Sequence, residues 1–415
     1  MDLAWLLVIP GCLLAEFSSE IGLGGDYTNQ RYSALVLDTL TRDTTARETE
    51  GRSFWSVNLN QEWDRTRLDA ANNLSLSTLS VRDLLDLELE QDLAASLRLK
   101  VGGEGELRWY HRALPVAEDS GFQRNYLNNA GRVELEWQPS DRFEVRLKER
   151  LENQHYTAPD SLYYDYLLNR AGIAAGLELG TLSSLDAGYD WSARRASGVD
   201  SQDYQDHSLR LEYSGFPGAG WQVRLAADAS RRSYGDPKRS FREGCPGVSL
   251  GHDFNSAVSA TVEDELRLTW YDAPDLVYRN QALNTLGLNV ELRPTSEITL
   301  RLGPAWESER GLQGTAPEDY RETALKAGFE FMKPGRLWIS LDDRLGIRRY
   351  LQGDSSYQTN YGFNELDATL NWTLLTTRVG SLVLDGTASI APEWHADQTD
   401  DLAVSTYTLQ LKFAF

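Results

Sequence analysis

Charged residues in this chain recur at every second position over long stretches, and that spacing limits what they can do. The clearest run is Arg142, Glu144, Arg146, Lys148 and Arg150. Before it stand Arg132, Glu134 and Glu136, and earlier the sets Asp86, Glu88, Glu90 and Arg98, Lys100, Glu104, Glu106, Arg108. Shorter pairs follow at Arg210 and Glu212, Arg224 and Asp228, and Asp342 and Arg344. On extended backbone, residues two apart share a face, so each run is one charged stripe. Neighbouring strands lie about 4.8 Å apart, close enough for facing stripes of opposite charge to pair into ladders. Two uses fit such ladders equally. Fixed charges can line a wet passage and select solutes by sign and size, or they can form an ion-pair network that keeps a wall hydrated and stiff at little gain per pair. One stripe is unbalanced: Asp86, Glu88, Glu90 and Asp92 have no base among them, which predicts a surface that attracts cations.

Other residue types offer less. Asp200, Asp203 and Asp206, and again Asp397, Asp400 and Asp401, are oxygen ligands of the kind that hold Ca²⁺, yet solvated loop tips have the same composition. The chain has no Gly-rich phosphate loop, no Cys-x-x-Cys pair and no haem-attachment motif, so no cofactor is expected. A net charge of −21, from 41 basic and 62 acidic residues, argues against nucleic acid or anionic phosphate surfaces as partners.

Charged stripes need strands to carry them. From Ile21 onward the sequence reads as short alternating segments between turn signals, with a polar stretch at 38–51, just before Ser53, that reads as a loop. Ser53 to Glu62 sets Trp55, Val57 and Leu59 against Ser56, Asn58 and Asn60. Residues 84–92 set Leu85, Leu87 and Leu89 against the four acids, which a helix would instead spread around its whole surface. Short connections at 139–141, 180–184, 215–220, 294–296, 333–335 and 377–380 alternate with longer polar ones at 154–162, 196–206, 232–253, 271–279, 310–319, 350–357 and 394–401. Short turns on one side and longer loops on the other are the rule for an up-and-down β-barrel that crosses a membrane, and a sandwich or propeller has no reason to keep it. Trp137, Tyr213, Trp221, Phe331, Trp338 and Phe413 gather near the short turns. Trp109, Tyr156, Trp270, Trp306, Tyr350 and Trp394 gather near the long loops, so the aromatics predict two interfacial girdles. Glu149 falls on the apolar face and is expected near the outer rim.

The last segment, 401–415, is the most informative. Tyr407, Leu409, Leu411, Phe413 and Phe415 alternate with Thr406, Thr408, Gln410, Lys412 and Ala414. A terminal phenylalanine preceded by apolar residues at every second place resembles the C-terminal assembly signal of Gram-negative outer-membrane β-barrel proteins, with Gln410 where many such signals carry glycine. The resemblance implies a bacterial outer-membrane location, with membrane lipid and the barrel-assembly machinery as partners. Some barrels of this kind are hydrolases. The outer-membrane phospholipases carry His-x-Ser-Asn-Gly, but here His252-Asp253-Phe254-Asn255-Ser256 breaks that spacing. Asp206-His207 echoes the omptin Asp-His pair without partner aspartates, and no enzyme is expected.

Composition agrees with a barrel. Hydrophobic residues make up 41% and mean hydropathy is −0.46, which excludes helical spans but suits strands that show lipid only every second residue. Aromatic residues reach 10%, with 12 Trp and 19 Tyr. Residues 3–15 form an apolar run that predicts a signal peptide over 1–15, although Asp2 replaces a basic residue and Leu13 stands where a small one is preferred. Cys12 falls within it, leaving Cys245 alone in the mature chain. The expectation is a single antiparallel transmembrane barrel over 16–415 with about 18 strands, within a range of 16 to 20. It would be a porin-like passage for small polar or charged solutes or, alternatively, a scaffold or sheath for an export or electron-transfer partner.

Overall fold

The computed structural model describes residues 16–36, 40–77, 80–110, 125–157, 159, 163–275, 277–314, 316–352, 359–395 and 402–414. Twenty strands make one antiparallel sheet. β20 (Leu402–Ala414) pairs with both β19 (Ser381–His395) and β1 (Glu16–Val36), which closes the sheet into a barrel. From β1 the chain passes through β2 (Leu40–Trp63), β3 (Thr66–Ser77), β4 (Ser80–Ala94), β5 (Leu97–Tyr110), β6 (Tyr126–Ser140) and β7 (Phe143–Tyr156). It continues through β8 (Tyr166–Gly180), β9 (Ser183–Ala196), β10 (Tyr204–Gly215), β11 (Trp221–Tyr234), β12 (Phe241–Asn255) and β13 (Val258–Tyr271). The remaining strands are β14 (Gln281–Thr295), β15 (Ile298–Gly311), β16 (Tyr320–Lys333), β17 (Leu337–Tyr350) and β18 (Tyr361–Thr376). Every strand neighbours the next in sequence, and closure leaves no exposed edge.

Leucine alternation places the outer surface. Leu85, Leu87 and Leu89 of β4, Leu147 and Leu151 of β7, and Leu341, Leu345 and Ile347 of β17 are all exposed on one face. Among the described residues the buried apolar ones are few and mostly small, such as Ala130, Ala305 and Ala324, so these residues form no conventional core and the apolar surface is turned outward to lipid. Trp109, Trp270 and Trp394 are exposed on that face near the long-loop rim, and Trp137, Trp221 and Trp338 near the short-turn rim.

Several expectations change. The strand number is 20, the upper end of the expected range rather than 18. The segment 232–253, expected as a long connection, contains most of β12, and only 235–240 is loop. Gly244, Pro246 and Gly247 hide the alternation there. Proline cannot donate to a ladder, and the pairing with β13 is indeed interrupted between Gly244 and Gly247. The stretch 38–51 was expected as loop, yet from Leu40 it belongs to β2. Glu149 lies at mid-strand on the outward face, not near the rim, and accepts from Asn169 Nδ2 at 3.5 Å. Asp264 with Asn284 (2.7 Å) and Asp83 with Asn72 (2.8 Å) repeat this outward acid–amide pairing, so each acid has a neutral donor from the neighbouring strand. Residues 1–15, and with them the expected signal peptide, lie outside the described residues.

Candidate functional site

The ionic stripes occupy the face opposite the leucines. Register sets Glu90 against Lys100 and Asp92 against Arg98 across β4 and β5. Lys100 Nζ stands 2.8 Å from Glu136 and 3.8 Å from both Glu90 and Glu134. Arg98 lies 2.9 Å from Asp92, and Arg132 reaches Glu88 at 2.6 Å and Asp86 at 3.3 Å while also binding Glu104. Arg150 shares Glu104 at 2.8 Å. All four acids of the stripe therefore have basic partners, and the expectation of an unbalanced stripe is overturned. Balance is struck across strands, which the sequence of one strand does not show.

The pattern continues around the wall. Arg146 pairs with Glu144 at 2.8 Å, Arg210 with Asp228 at 3.0 Å, and Arg224 with Glu212 at 2.7 Å. Arg344 binds Glu365 at 3.0 Å and also Glu322, and Arg348 binds Glu322 at 2.7 Å. Glu106 accepts from Arg82 at 2.6 Å and from the Tyr126 hydroxyl at 2.7 Å, and Arg108 stacks 5.0 Å over Tyr110. Arg142 departs from the expectation: it sits in the turn between β6 and β7, not on a strand face. Most of these groups are partly solvated, so each pair contributes only about 0–1 kcal/mol.

Three pairs reach over an intervening strand at a glycine. Arg132 of β6 reaches β4 over Gly102 of β5, Lys148 of β7 reaches Asp190 of β9 at 2.9 Å over Gly172 of β8, and Arg301 of β15 reaches Asp342 of β17 at 3.3 Å over Gly328 of β16. A Cβ at Gly102 would stand 2.5 Å from Arg132 Nε, one at Gly328 2.9 Å from Arg301 Nε, and one at Gly172 would collide with Asp190 and Lys148. With no side chain beneath them, the ion pairs lie along the wall instead of projecting from it. The concave surface so formed is lined across six successive strands by Glu263, Asn289, Arg301, Lys326, Asp342 and Glu365.

At the long-loop rim one construction repeats hairpin after hairpin. The residue just before a descending strand accepts, through its side chain, the backbone N–H of the residue that ends the strand before it. Asn125 accepts from Tyr110 (2.7 Å), Asp165 from Tyr156 (2.7 Å), Asp203 from Ala196 (2.6 Å) and Ser240 from Tyr234 (2.9 Å). Asn280 accepts from Tyr271 (2.7 Å), Asp319 from Gly311 (2.8 Å) and Asn360 from Tyr350 (2.7 Å). The carbonyls of Asn125, Asp165, Ser240, Asn280 and Asp319 accept in turn from the next loop, at Thr157, Ser197, Asp272, Leu312 and Leu351. Each cap closes its own loop, and these five also tie it to the following hairpin. In the loop 272–280, Asp275 accepts from the backbone N–H groups of Tyr278 and Val277 at 2.9 Å each and from Lys238 at 3.1 Å, and these donors hold its carboxyl below the usual carboxylate range.

Directly after every one of these caps except Asn280, which Gln281 follows, stand aromatic residues in phase with the ionic face. They meet as pairs: Tyr126 with Tyr156 at 5.9 Å, Tyr204 with Tyr234 at 5.8 Å and Phe241 with Tyr271 at 5.7 Å between ring centroids. Tyr320 meets Tyr350 at 6.2 Å and Tyr361 meets His395 at 5.0 Å. Arg194 and Arg232 each stack 4.7 Å over Tyr204, Arg239 4.4 Å over Tyr234 and Arg348 4.0 Å over Tyr320. Tyr156 and Tyr350, expected in the lipid girdle, thus belong to an interior ring, because their even positions share the face of Arg150 and Arg348. Sequence reading missed the ring and the caps. The available signal was Asn, Asp or Ser followed by Tyr or Phe at six of the seven capped hairpins, at 125–126, 165–166, 203–204, 240–241, 319–320 and 360–361.

Adjacent residues in a strand point to opposite faces, so Asp206 and His207 make no dyad. Asp206 binds Arg232 at 2.8 Å, while His207 Nδ1 meets the Tyr189 hydroxyl at 2.7 Å on the outward side. His252 lies 4.4 Å from the Trp221 ring and meets Phe254 edge-on at 4.7 Å. Among the described residues no three His, Cys, Asp or Glu side chains converge on a metal position. Asp203 is used as a cap, and Asp397, Asp400 and Asp401 lie outside the described residues. In β20, Tyr407, Leu409 and Leu411 are exposed on the apolar face and Phe413 is half-buried. Phe415 lies outside the described residues.

Comparison with known proteins turns on this architecture. The chain matches no protein-family model and no curated protein. Among solved structures it is similar to the FrpB iron transporter from Neisseria meningitidis, with a TM-score of 0.62 at 10% identity over 97% of this chain and 82% of that one. It is also similar to the siderophore receptor PirA from Pseudomonas aeruginosa (TM-score 0.59, 9% identity, 95% and 80% covered). The alcaligin outer-membrane receptor FauA from Bordetella pertussis matches with a TM-score of 0.59 at 12% identity over 97% and 76%. The chain has the fold of these outer-membrane β-barrels. At such low identity the likeness is one of fold, and the ionic wall and aromatic mouth of this barrel stand on their own geometry.

Proposed function

We propose that this barrel is a transport conduit of the outer membrane, through which small polar or charged solutes diffuse along the interior bounded by Asp86, Glu88, Lys100, Arg132, Lys148 and their partners. The observation that carries the reading is the wall itself: its ion pairs are satisfied laterally and laid flat over inward glycines. Every described segment from Glu16 to Ala414 is a strand or a connection between neighbouring strands. Barrels of 16–18 strands already leave an aqueous channel, and twenty strands enclose more. The test is conductance in planar bilayers of the full chain refolded in detergent. Stepwise ion conductance is expected. A correctly folded barrel that does not conduct would overturn the conduit and favour a scaffold or sheath around a partner component.

A second reading has the structural likeness in its favour. Two of the solved structures cited above are receptors, one for a siderophore and one for alcaligin, and the third is an iron transporter, so capture of an iron chelate at the mouth is the competing use. Saturable binding of a ferric siderophore together with absence of conductance would select it.

A further inference from the structure

Three guanidinium groups gather on one side of the long-loop mouth, and among the described residues only one of them holds a carboxylate. Arg194 from β9 and Arg232 from β11 both lie 4.7 Å over the Tyr204 ring, and Arg239 lies 4.4 Å over Tyr234. Arg232 binds Asp206 at 2.8 Å, and its Nε is buried without a hydrogen-bond partner. Arg194 donates to the Gln202 carbonyl at 2.8 and 3.0 Å, and Arg239 donates to the Ser201 carbonyl. Both also reach Gln202 Oε1, at 3.4 and 3.3 Å. Neutral oxygens orient a guanidinium without cancelling its charge. Contact with one shared amide oxygen sets two cations side by side, an arrangement their repulsion disfavours until an anion joins them.

One inward position deeper, Arg170 of β8 adds a fourth guanidinium. Register sets it beside Arg150 on one side and Ser192 on the other, with Asp206 beyond Ser192. Arg170 is exposed and has no ion-pair partner among the described residues. Together with Arg150, Ser192, Tyr204, Asp206 and Arg232 it lines a recess of about 590 Å³. The other carboxylates facing this sector are engaged. Glu152 lies 3.5 Å from Arg150 and accepts from the Tyr166 hydroxyl at 2.8 Å, Asp190 holds Lys148 at 2.9 Å, and Glu243 accepts from Thr269 at 3.3 Å. In the bordering loops, Asp203 and Asp236 accept backbone N–H groups and Asp200 is exposed.

Such a surplus of forked donors complements an oxyanion. A guanidinium carries five N–H donors and binds carboxylate or phosphate oxygens through two of them in parallel. The tyrosine rings and Gln202 hold these groups in place before a ligand arrives, which lowers the ordering entropy of binding. Arg170, Arg194 and Arg232 share the inward phase, so the ligand is a free solute and not a lipid headgroup.

We propose that this sector, formed by β8–β11 and the loops 197–203 and 235–240, binds a small polyvalent oxyanion, with Arg194, Arg232 and Arg239 as its ligands and Arg170 as the charge beneath them. The inference goes beyond the conduit reading and does not require conductance. The probe is inorganic pyrophosphate, titrated calorimetrically in metal-free buffer into the full chain refolded in detergent. Wild type is expected to bind it saturably. Arg194→Gln combined with Arg239→Gln is expected to weaken binding at least about tenfold. Arg142→Gln combined with Arg336→Gln removes the same charge from the short-turn rim and is expected to change binding less than about twofold. Heat-shifted mobility on unboiled gels checks that each variant folds. Should the first pair misfold, Arg170→Gln decides, with a weakening of about threefold expected and unchanged affinity overturning the site. Absence of saturable binding to wild type overturns the inference, and so does a folded Arg194–Arg239 variant that binds as wild type does. Equal weakening by the short-turn pair also overturns it, since general charge would then suffice. Conductance without binding overturns the site alone, whereas binding without conductance retains the site and overturns the conduit.

Discussion

At Gly172, Lys148 and Asp190 meet above a strand that contributes no side chain. Gly172→Val should force both ends of that pair off the wall and destabilise the barrel by about 1–3 kcal/mol, the usual range for overpacking. Gly131→Ala is the control: a Cβ there meets nothing within 4 Å, and its effect should stay within about 0.5 kcal/mol. Denaturant unfolding in detergent reads both. Asp275 carries a pH prediction. Its carboxyl lies below the usual carboxylate range because Tyr278, Val277 and Lys238 donate to it. A depressed folded value means that the contribution is complete above the unfolded value, about 3.9 for aspartate, and is lost as pH falls through the lower folded value. Hydrogen exchange at the Val277 and Tyr278 amides should therefore show unchanged protection at pH 5, and protection should decline only below the ordinary aspartate range. Loss of protection already between pH 7 and pH 5 would contradict the assignment.

Asn280 accepts the Tyr271 N–H through its side chain and the Leu312 N–H through its carbonyl, so Asn280→Ala removes one of these bonds and leaves the other. A loss of about 1 kcal/mol is expected, together with faster exchange of the Tyr271 amide, and unchanged exchange there would refute the cap. In β20, Leu411 is exposed on the apolar face and Gln410 lies on the other. Leu411→Asp should reduce membrane insertion far more than Gln410→Asp, as judged by heat-modifiable protein in outer-membrane fractions. Equal losses would reverse the strand's phase. Strands of this kind were legible because a period of two survives in the sequence: the leucine–acid alternation of β4 matched the structure, and so did the short-turn rule from residue 138 onward except at 232–253, where β12 and its short turn at 256–257 went unread. β12 was not legible, since Gly244, Pro246 and Gly247 erase the alternation and only the flanking ladders hold it extended. Caps recur in sequence as well, but their meaning depends on which N–H the register brings to them.

For the whole molecule, what a single stretch of sequence could not show was the charge balance. Asp86, Glu88, Glu90 and Asp92 look unopposed along their own strand, yet Arg98, Lys100 and Arg132 come to them from β5 and β6. The assignment of Tyr156 and Tyr350 to a lipid girdle failed for a related reason, because distance from a turn gives depth in the membrane and says nothing of the face. Closure of twenty strands turns these local pairings into a continuous ionic interior, which under the proposed function is the path of the solute. The most direct measurement is the reversal potential of the channel in a salt gradient, for wild type and for Asp86→Asn combined with Glu88→Gln. Wild type should be weakly cation-selective, because its charges are mostly paired while the chain as a whole is acidic at −21, and the preference should fade as salt shortens the screening length below about 8 Å. The double variant frees Arg132 of two acids and should shift the reversal potential toward anions. A folded, conducting variant whose reversal potential equals that of wild type would contradict the claim that this wall lines the path.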